Sequence, residues 1–278
     1  MKLAEIYDKH NGKLSCKWSS YIEKYEELFL KYKEKKVNIL EIGVQNGGTL
    51  EIYSKYFKEC QNIIGVDINP KCQNLKYSDD RIKVIIGNIN DNEIKEQILN
   101  LPKFDIIIDD GSHSSQDIIK TFILYYNHLN DDGIYIVEDL HCSYWKEHSG
   151  GLFFPISSIS FFKKIVDIIN FEHWGIKKNT DWFLKPFSYN YKIELNHVNF
   201  ETINSIEFIN SMCVLRKNKN KLGEVVKKGK TSEIAPEIAD MSSDDFQISK
   251  TFQEKNTWSN VKILPEDELA MLRDKIKK

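Results

Sequence analysis

Val37-Asn38-Ile39-Leu40-Glu41-Ile42-Gly43-Val44-Gln45-Asn46-Gly47-Gly48-Thr49 passes from a short β-branched run through a glycine-rich turn into a segment of helical character over 49–57. A buried strand that ends in glycines and gives way at once to a helix is the opening unit of a parallel α/β sheet. Glycines in such a turn tolerate positive φ and let the backbone come close to a ligand. Four more runs of the same kind follow at 62–67, 82–86, 105–109 and 134–138, each short, apolar and bounded by polar residues. Continuous apolar runs of this length read as strands buried on both faces. Helical segments at 92–99 and 116–129 lie between them. The alternation predicts an α/β fold, Rossmann-like, with a mostly parallel sheet and helices on both faces.

Outward from this centre, the apolar residues Tyr21, Ile22, Tyr25, Leu28, Phe29 and Tyr32 recur at helical spacing and predict an amphipathic helix over 21–32. A further helix is expected at 159–169. Runs at 203–208 and 212–215, separated by Ile209-Asn210-Ser211, predict an antiparallel hairpin that ends the sheet. Three parts result: an N-terminal helical cap over 1–36, the Rossmann-like domain over 37–217, and a polar C-terminal extension over 218–278. The extension is read as solvated, with Phe252, Trp258 and Leu264 as its candidates for subunit or active-site contact.

Composition narrows the function. The 278 residues carry a formal charge of −2 from 39 basic and 41 acidic side chains, so no single-sign field is available to hold nucleic acid. The five cysteines lack both the close pairs of a zinc site and the even count of a disulfide framework, which points to a reducing, cytoplasmic setting. No basic-then-apolar leader opens the chain, and no run is long enough to span a bilayer, so no membrane partner is expected.

In open parallel sheets ligands sit beyond the carboxyl ends of the strands. Those ends are acidic here: Glu41, Asp67, Asp109, Asp110, Glu138 and Asp139. Asp67 closes the second strand, where its carboxylate is placed to accept two hydrogen bonds from ribose hydroxyls. A dinucleotide fingerprint requires glycine at positions 43, 45 and 48, and Gln45 breaks it. With Gly87-Asn88 ending the third strand, the combination resembles class I S-adenosylmethionine-dependent methyltransferases. The resemblance implies that the turn, with Glu41, Gly43, Asn46 and Gly47, receives the amino-acid end of the cofactor. It further implies that Asp67 holds the ribose and that Asn88 lies near the adenine.

The fourth and fifth strands end in Asp109-Asp110-Gly111-Ser112-His113 and Val137-Glu138-Asp139-Leu140. Asp110, Glu138 and Asp139 converging in one cleft would repel one another unless something positive lay between them, and hard oxygen ligands of this kind suit Mg²⁺ or Mn²⁺. A sugar hydroxyl is a poor nucleophile at neutral pH, and a metal with a nearby imidazole supplies what it lacks. These two motifs, with Tyr144-Trp145 close behind, resemble the metal-dependent macrolide-sugar O-methyltransferases of the mycinamicin and macrocin type. They are similar also to enzymes that methylate capsular or nucleotide-activated sugars. The resemblance implies Asp110, Glu138 and Asp139 as metal ligands, His113 as general base and Asp109 as a neighbour of the cofactor.

Where that family often carries Thr-Asp-Lys, this chain has Ser15-Cys16-Lys17, which leaves Lys17 and Tyr21 as candidates for the cofactor carboxylate. The expected substrate is a sugar or nucleotide-sugar, by analogy a heptose for a capsule or surface glycan, with a macrolide-type sugar as the alternative. Oligomeric state is left open. A nicotinamide-dependent sugar-nucleotide oxidoreductase is the competing enzyme class, disfavoured by Gln45 and by the lack of a suitably placed Tyr-x-x-x-Lys pair. For a non-enzymatic binding module the acidic cleft would have no use.

Overall fold

The chain begins with two helices, α1 (Leu3–Asp8) and α2 (Ser19–Phe29), the second continuing into a 3-10 turn at Leu30–Tyr32. The structure is a computed structural model that describes residues 1–176, 179–218, 223–247, 253–256 and 259. Strands and helices then alternate as β1 (Asn38–Ile42), α3 (Gly48–Tyr56), β2 (Asn62–Asp67), β3 (Ile82–Ile86), α4 (Asn92–Leu99), β4 (Phe104–Asp109), α5 (Ser115–Tyr125) and β5 (Leu129–Val137). After two more helices, α6 (Ser158–Ile169) and α7 (Thr180–Tyr191), the hairpin of β6 (Ile203–Ile209) and β7 (Met212–Lys217) completes the sheet.

The seven strands lie in the order β3-β2-β1-β4-β5-β7-β6. β1 to β5 pair in parallel, and β7 lies antiparallel between β5 and β6. This is the Rossmann-like arrangement expected from the alternation. Successive residues on each strand point to opposite faces, and both faces are covered. Leu40, Ile42, Ile64, Ile107, Tyr135 and Val137 pack with α4 to α7. Ile39, Ile63, Ile106, Ile108 and Ile134 pack with α1, α2 and α3 on the other side. Two-sided burial is why the strand runs carry no polar alternation.

Two elements depart from the sequence reading. β5 starts at Leu129, five residues before the expected 134, because the exposed Asp131 and Asp132 enter the ladder across a register shift opposite Phe104 and Ile106. Asp132 takes φ +64° there, so residues that read as a turn belong to an irregular strand end. α7 was not anticipated, since Pro186 lies within it. Asn179 caps it by accepting from Trp182 N–H at 2.9 Å, and Leu184, Phe187 and Tyr191 bury one face.

Phe252, Trp258 and Leu264 lie outside the described residues. Among the described residues, no helix is long and apolar enough to cross a membrane.

The sheet order reverses between β1 and β4, which opens a crevice at their carboxyl ends. Backbone hydrogen bonds carry the ladder one residue past the strands: Gly43 N–H donates to Val66 O, Asp110 N–H to Ile42 O and Glu138 N–H to Asp109 O, at 2.8–2.9 Å. The acidic strand ends are thereby held in one row.

Candidate functional site

The crevice holds two cavities that share Gly43, Asp67 and Gly111 in their walls. The larger, of about 460 Å³, is bordered by Lys17, Trp18, Asp110, His113, Glu138 and Asp139. The smaller, of about 200 Å³, is bordered by Gly87, Asn88, Asp109, Asp117 and Thr121. Gly43 separates them with φ +94°, and a Cβ there would lie 2.1 Å from Asp110 O. Glycine at 43 is therefore required by the approach of the β4 exit loop as well as by the turn.

Asp67 fixes that turn. Its Oδ2 accepts from Val44 N–H and Gln45 N–H, both at 2.8 Å, and its Oδ1 accepts from Asn69 N–H at 2.8 Å. A carboxylate has about four lone-pair positions, so one remains, on Oδ1.

Of the other turn residues, Gly47 is buried and caps α3 with φ +80°, while Asn46 is exposed. Neither borders the cavities, and Glu41 does not border them either. Asn88 and Asp109 meet in the smaller cavity. Asp109 is buried with one carboxylate oxygen unpartnered, and burial pushes its pKa up to about 7 against the opposing hydrogen bond from Gly111 N–H.

The second half of the site is organised by Lys17. Its side chain is 2% exposed, and Nζ lies 2.5 Å from Asp110 Oδ2, 2.7 Å from Glu138 Oε1 and 3.6 Å from Glu41 Oε1. Burial alone would depress this ammonium's pKa, but Glu138, Asp110 and Glu41 together hold it well above its ordinary value. Glu138 also accepts from the buried Tyr25 hydroxyl. Burial raises the Glu138 pKa to about 7 and that of Glu41 to about 8, with Lys17 working against both rises. Glu41 accepts no hydrogen bond on either oxygen. The positive charge that the converging acids demand is thus supplied, on this side of the cluster, by the chain itself.

Asp110, His113 and Asp139 face the other way and each offers one atom within a common sphere of 4.8 Å. His113 Nε2 lies 3.9 Å from Asp110 Oδ1 and 3.8 Å from Asp139 Oδ2. The two carboxylates, partly open to solvent, offer oxygen donors that suit a hard divalent cation keeping part of its water shell, with the imidazole beside them. The structure does not gather Glu138 with them, because its Oε1 is turned toward Lys17 and Tyr25. Burial lowers the His113 pKa below its ordinary value, with Asp110 and Asp139 opposing.

Tyr21, expected near the cofactor, has its single hydroxyl proton within reach of Asp139 Oδ1 at 3.0 Å and Ser211 O at 2.9 Å, and its oxygen accepts from Asp139 N–H at 3.1 Å. It fixes Asp139, which takes φ +49°. Lys17, expected at the cofactor carboxylate, borders the larger cavity and is paired with Asp110 and Glu138. Sequence reading missed two groups, Trp18, whose Nε1–H donates to Asp139 Oδ1 at 3.0 Å, and Tyr25. Tyr21 and Tyr25 are one helical turn apart and meet the adjacent acids Asp139 and Glu138. Gln45, His113 and Asp139, all bordering the larger cavity, adopt positive φ without being glycine.

Residues 40–140 match a family described as a methyltransferase domain. An 8-demethyl-8-alpha-L-rhamnosyl tetracenomycin-C 2'-O-methyltransferase from Streptomyces olivaceus is 31% identical over 164 residues, 55% of this chain and 42% of that protein. The mycinamicin VI 2''-O-methyltransferase of Micromonospora griseorubida is 34% identical over 134 residues, 45% of this chain and 33% of that protein. The chain therefore spans less than half the length of these curated relatives. Among solved structures, the MycE methyltransferase from the mycinamycin biosynthetic pathway, in complex with Mg, SAH and mycinamycin VI, superposes with a TM-score of 0.65. That match has 23% identity, covers 80% of this chain and 55% of the other, and establishes the shared fold.

Proposed function

We propose that this chain, a methyltransferase of the class I fold, transfers the methyl group of S-adenosylmethionine to a hydroxyl of a sugar, with a divalent cation, Mg²⁺ or Mn²⁺, at Asp110 and Asp139. One observation carries the reading: at the mouth of the crevice, next to the glycine turn and Asp67, Asp110, His113 and Asp139 converge within 4.8 Å. Carboxylates and an imidazole in that position suit proton removal from a vicinal diol. One relative named above is an O-methyltransferase of an alpha-L-rhamnosyl tetracenomycin-C, which agrees with this acceptor class.

The chemistry is a single displacement. The acceptor oxygen attacks the sulfonium methyl carbon, the new C–O bond forms as the C–S bond breaks, and the thioether leaves as a neutral group. The acceptor proton passes to His113 Nε2. General-base removal of this kind is worth about 10²–10⁴ in rate. A divalent cation, when bound, lowers the pKa of the diol it contacts. Asp139 is oriented by Tyr21 and Trp18, and Asp110 by Lys17, so the carboxylates do not need to reorganise during transfer. Glu138, the third ligand in the sequence reading, serves here chiefly to hold Lys17. The smaller cavity, with Asn88 and Asp109, takes the adenosine end of the cofactor, and Asp67 the ribose.

The finer acceptor classes are a nucleotide-activated sugar for a capsule or surface glycan, a heptose among them, and a natural-product glycoside. The test is a mass-spectrometric screen of both classes with S-adenosylmethionine, with and without chelator. One acceptor should gain a single methyl mass, and chelator should suppress the gain. Cofactor binding without methylation of any sugar would overturn the sugar assignment, and full speed in chelator would overturn the cation.

A further inference from the structure

Five aromatic rings form a row, Trp18, His141, Trp145, His148 and His113, and its two ends, Trp18 and His113, border the larger cavity. Neighbouring centroids are 6.5, 4.7, 6.0 and 6.3 Å apart. Both ends of this row meet at one carboxylate. Trp18 Nε1–H donates to Asp139 Oδ1 at 3.0 Å, and His113 Nε2 lies 3.8 Å from Asp139 Oδ2. The two indoles are not core residues, for Trp18 is 60% exposed and Trp145 48%. Each stands steeply to the imidazole of His141, at 81° and 79°.

Leaving two indoles in water forfeits a substantial hydrophobic gain. Their placement beside a polar reaction centre is what a ligand with one apolar and one hydroxylated face requires. His148 supplies a polar complement. Its Nδ1–H donates to Ser112 O at 3.2 Å, so in the neutral ring Nε2 is left as an acceptor for a hydroxyl.

We propose that Trp18 and Trp145 form the acceptor subsite, packing the C–H face of a pyranose ring while its diol points to Asp139 and His113 and a further hydroxyl donates to His148 Nε2. This rests on the sugar reading above and names the residues that confer it. Trp18 has a second role through its indole N–H, which orients Asp139.

The two roles separate by substitution. In Trp18→Phe the aromatic face stays and the N–H is lost, so kcat falls while the acceptor KM changes less than about threefold. In Trp145→Ala the face is lost, and KM rises about tenfold or more with kcat nearly unchanged, the order expected for loss of one aromatic stacking contact. Trp145→Phe should restore most of that loss. SAH affinity and melting temperature, measured on each variant, verify folding.

Saturation-transfer NMR of the wild-type protein with a panel of methyl pyranosides gives a reading that does not depend on turnover. Protons of one sugar face should receive the strongest saturation, and Trp145→Ala should abolish it. Absence of pyranoside binding to the wild type, or binding and KM unaltered in Trp145→Ala, overturns the subsite. Pyranoside binding without methyl transfer to any sugar would instead sink the proposed reaction and leave the subsite standing.

Discussion

His113 is the residue on which the proposed chemistry turns. Its backbone is held at φ +55°, and burial lowers its pKa against the pull of two carboxylates. His113→Ala should lower turnover by about 10²–10⁴ while SAH affinity, read by calorimetry, stays within about twofold. Turnover near the wild-type rate would remove the residue from the reaction. Glu41 offers a test of the buried charge cluster that needs no substrate. Its folded pKa is raised to about 8 from an ordinary 4.5, so between those values the folded state keeps a proton that the unfolded chain releases. Stability then falls as pH rises across that window, by up to about 1.4 kcal/mol per pH unit, and levels off above it. Glu41→Gln should flatten this slope and stabilise the protein at pH 8 relative to wild type, measured by urea unfolding at a series of pH values. An unchanged slope would show that Glu41 stays ionised against Lys17.

The elements show which parts of the molecule the sequence could disclose. α7 is held by the Asn179 cap and by Leu184, Phe187 and Tyr191 against the sheet-covering core. Asn179→Ala should cost about 1 kcal/mol in chemical denaturation, and no measurable change would mean that the cap is idle. This helix was illegible because Pro186 breaks the local pattern, and only tertiary burial overrides the missing donor. The five parallel strands were legible for the opposite reason, since burial on both faces writes them as uninterrupted apolar runs. The acidic strand ends followed from the same reading, because a strand end in a parallel sheet has a fixed place relative to the crevice. What could not be read was the partner of each acid. Lys17, Trp18, Tyr21 and Tyr25 come from the start of the chain, and periodicity alone assigns Tyr25 to an apolar helix face. Its hydroxyl reaches Glu138 only because α2 packs on the sheet face, with Tyr21 at Asp139 beyond the exit of β5 and Tyr32, past the helix end, at Asp132 near its start.

At the scale of the whole molecule, the buried apolar residues of both sheet faces fall between Leu3 and Leu215. Beyond β7, the described part of the extension is almost wholly exposed, with Val225 N–H donating to Ser243 Oγ at 2.8 Å and Lys227 Nζ to Ala239 O at 2.7 Å. Lys217 closes the sheet, donating to Leu129 O at 2.6 Å from a buried position, and Asn218 Nδ2–H donates to Asp132 Oδ1 at 2.7 Å, so among the described residues the side chains that tie this end of the hairpin to β5 run as far as Asn218. We propose that 218–278 is a separate polar extension that adds little to the stability of the body. Ending the chain after Asn218 should then move the melting temperature by no more than about 2 °C, since for a protein of this size 1 kcal/mol corresponds to roughly 2–4 °C. SAH affinity should be unchanged, because the glycine turn, Asp67, Asn88 and Asp109 all lie on β1 to β4 and their exits. A drop of more than about 5 °C would mean that the extension packs on the body. A loss of acceptor affinity at constant melting temperature would instead place it over the crevice, next to the rings that border it.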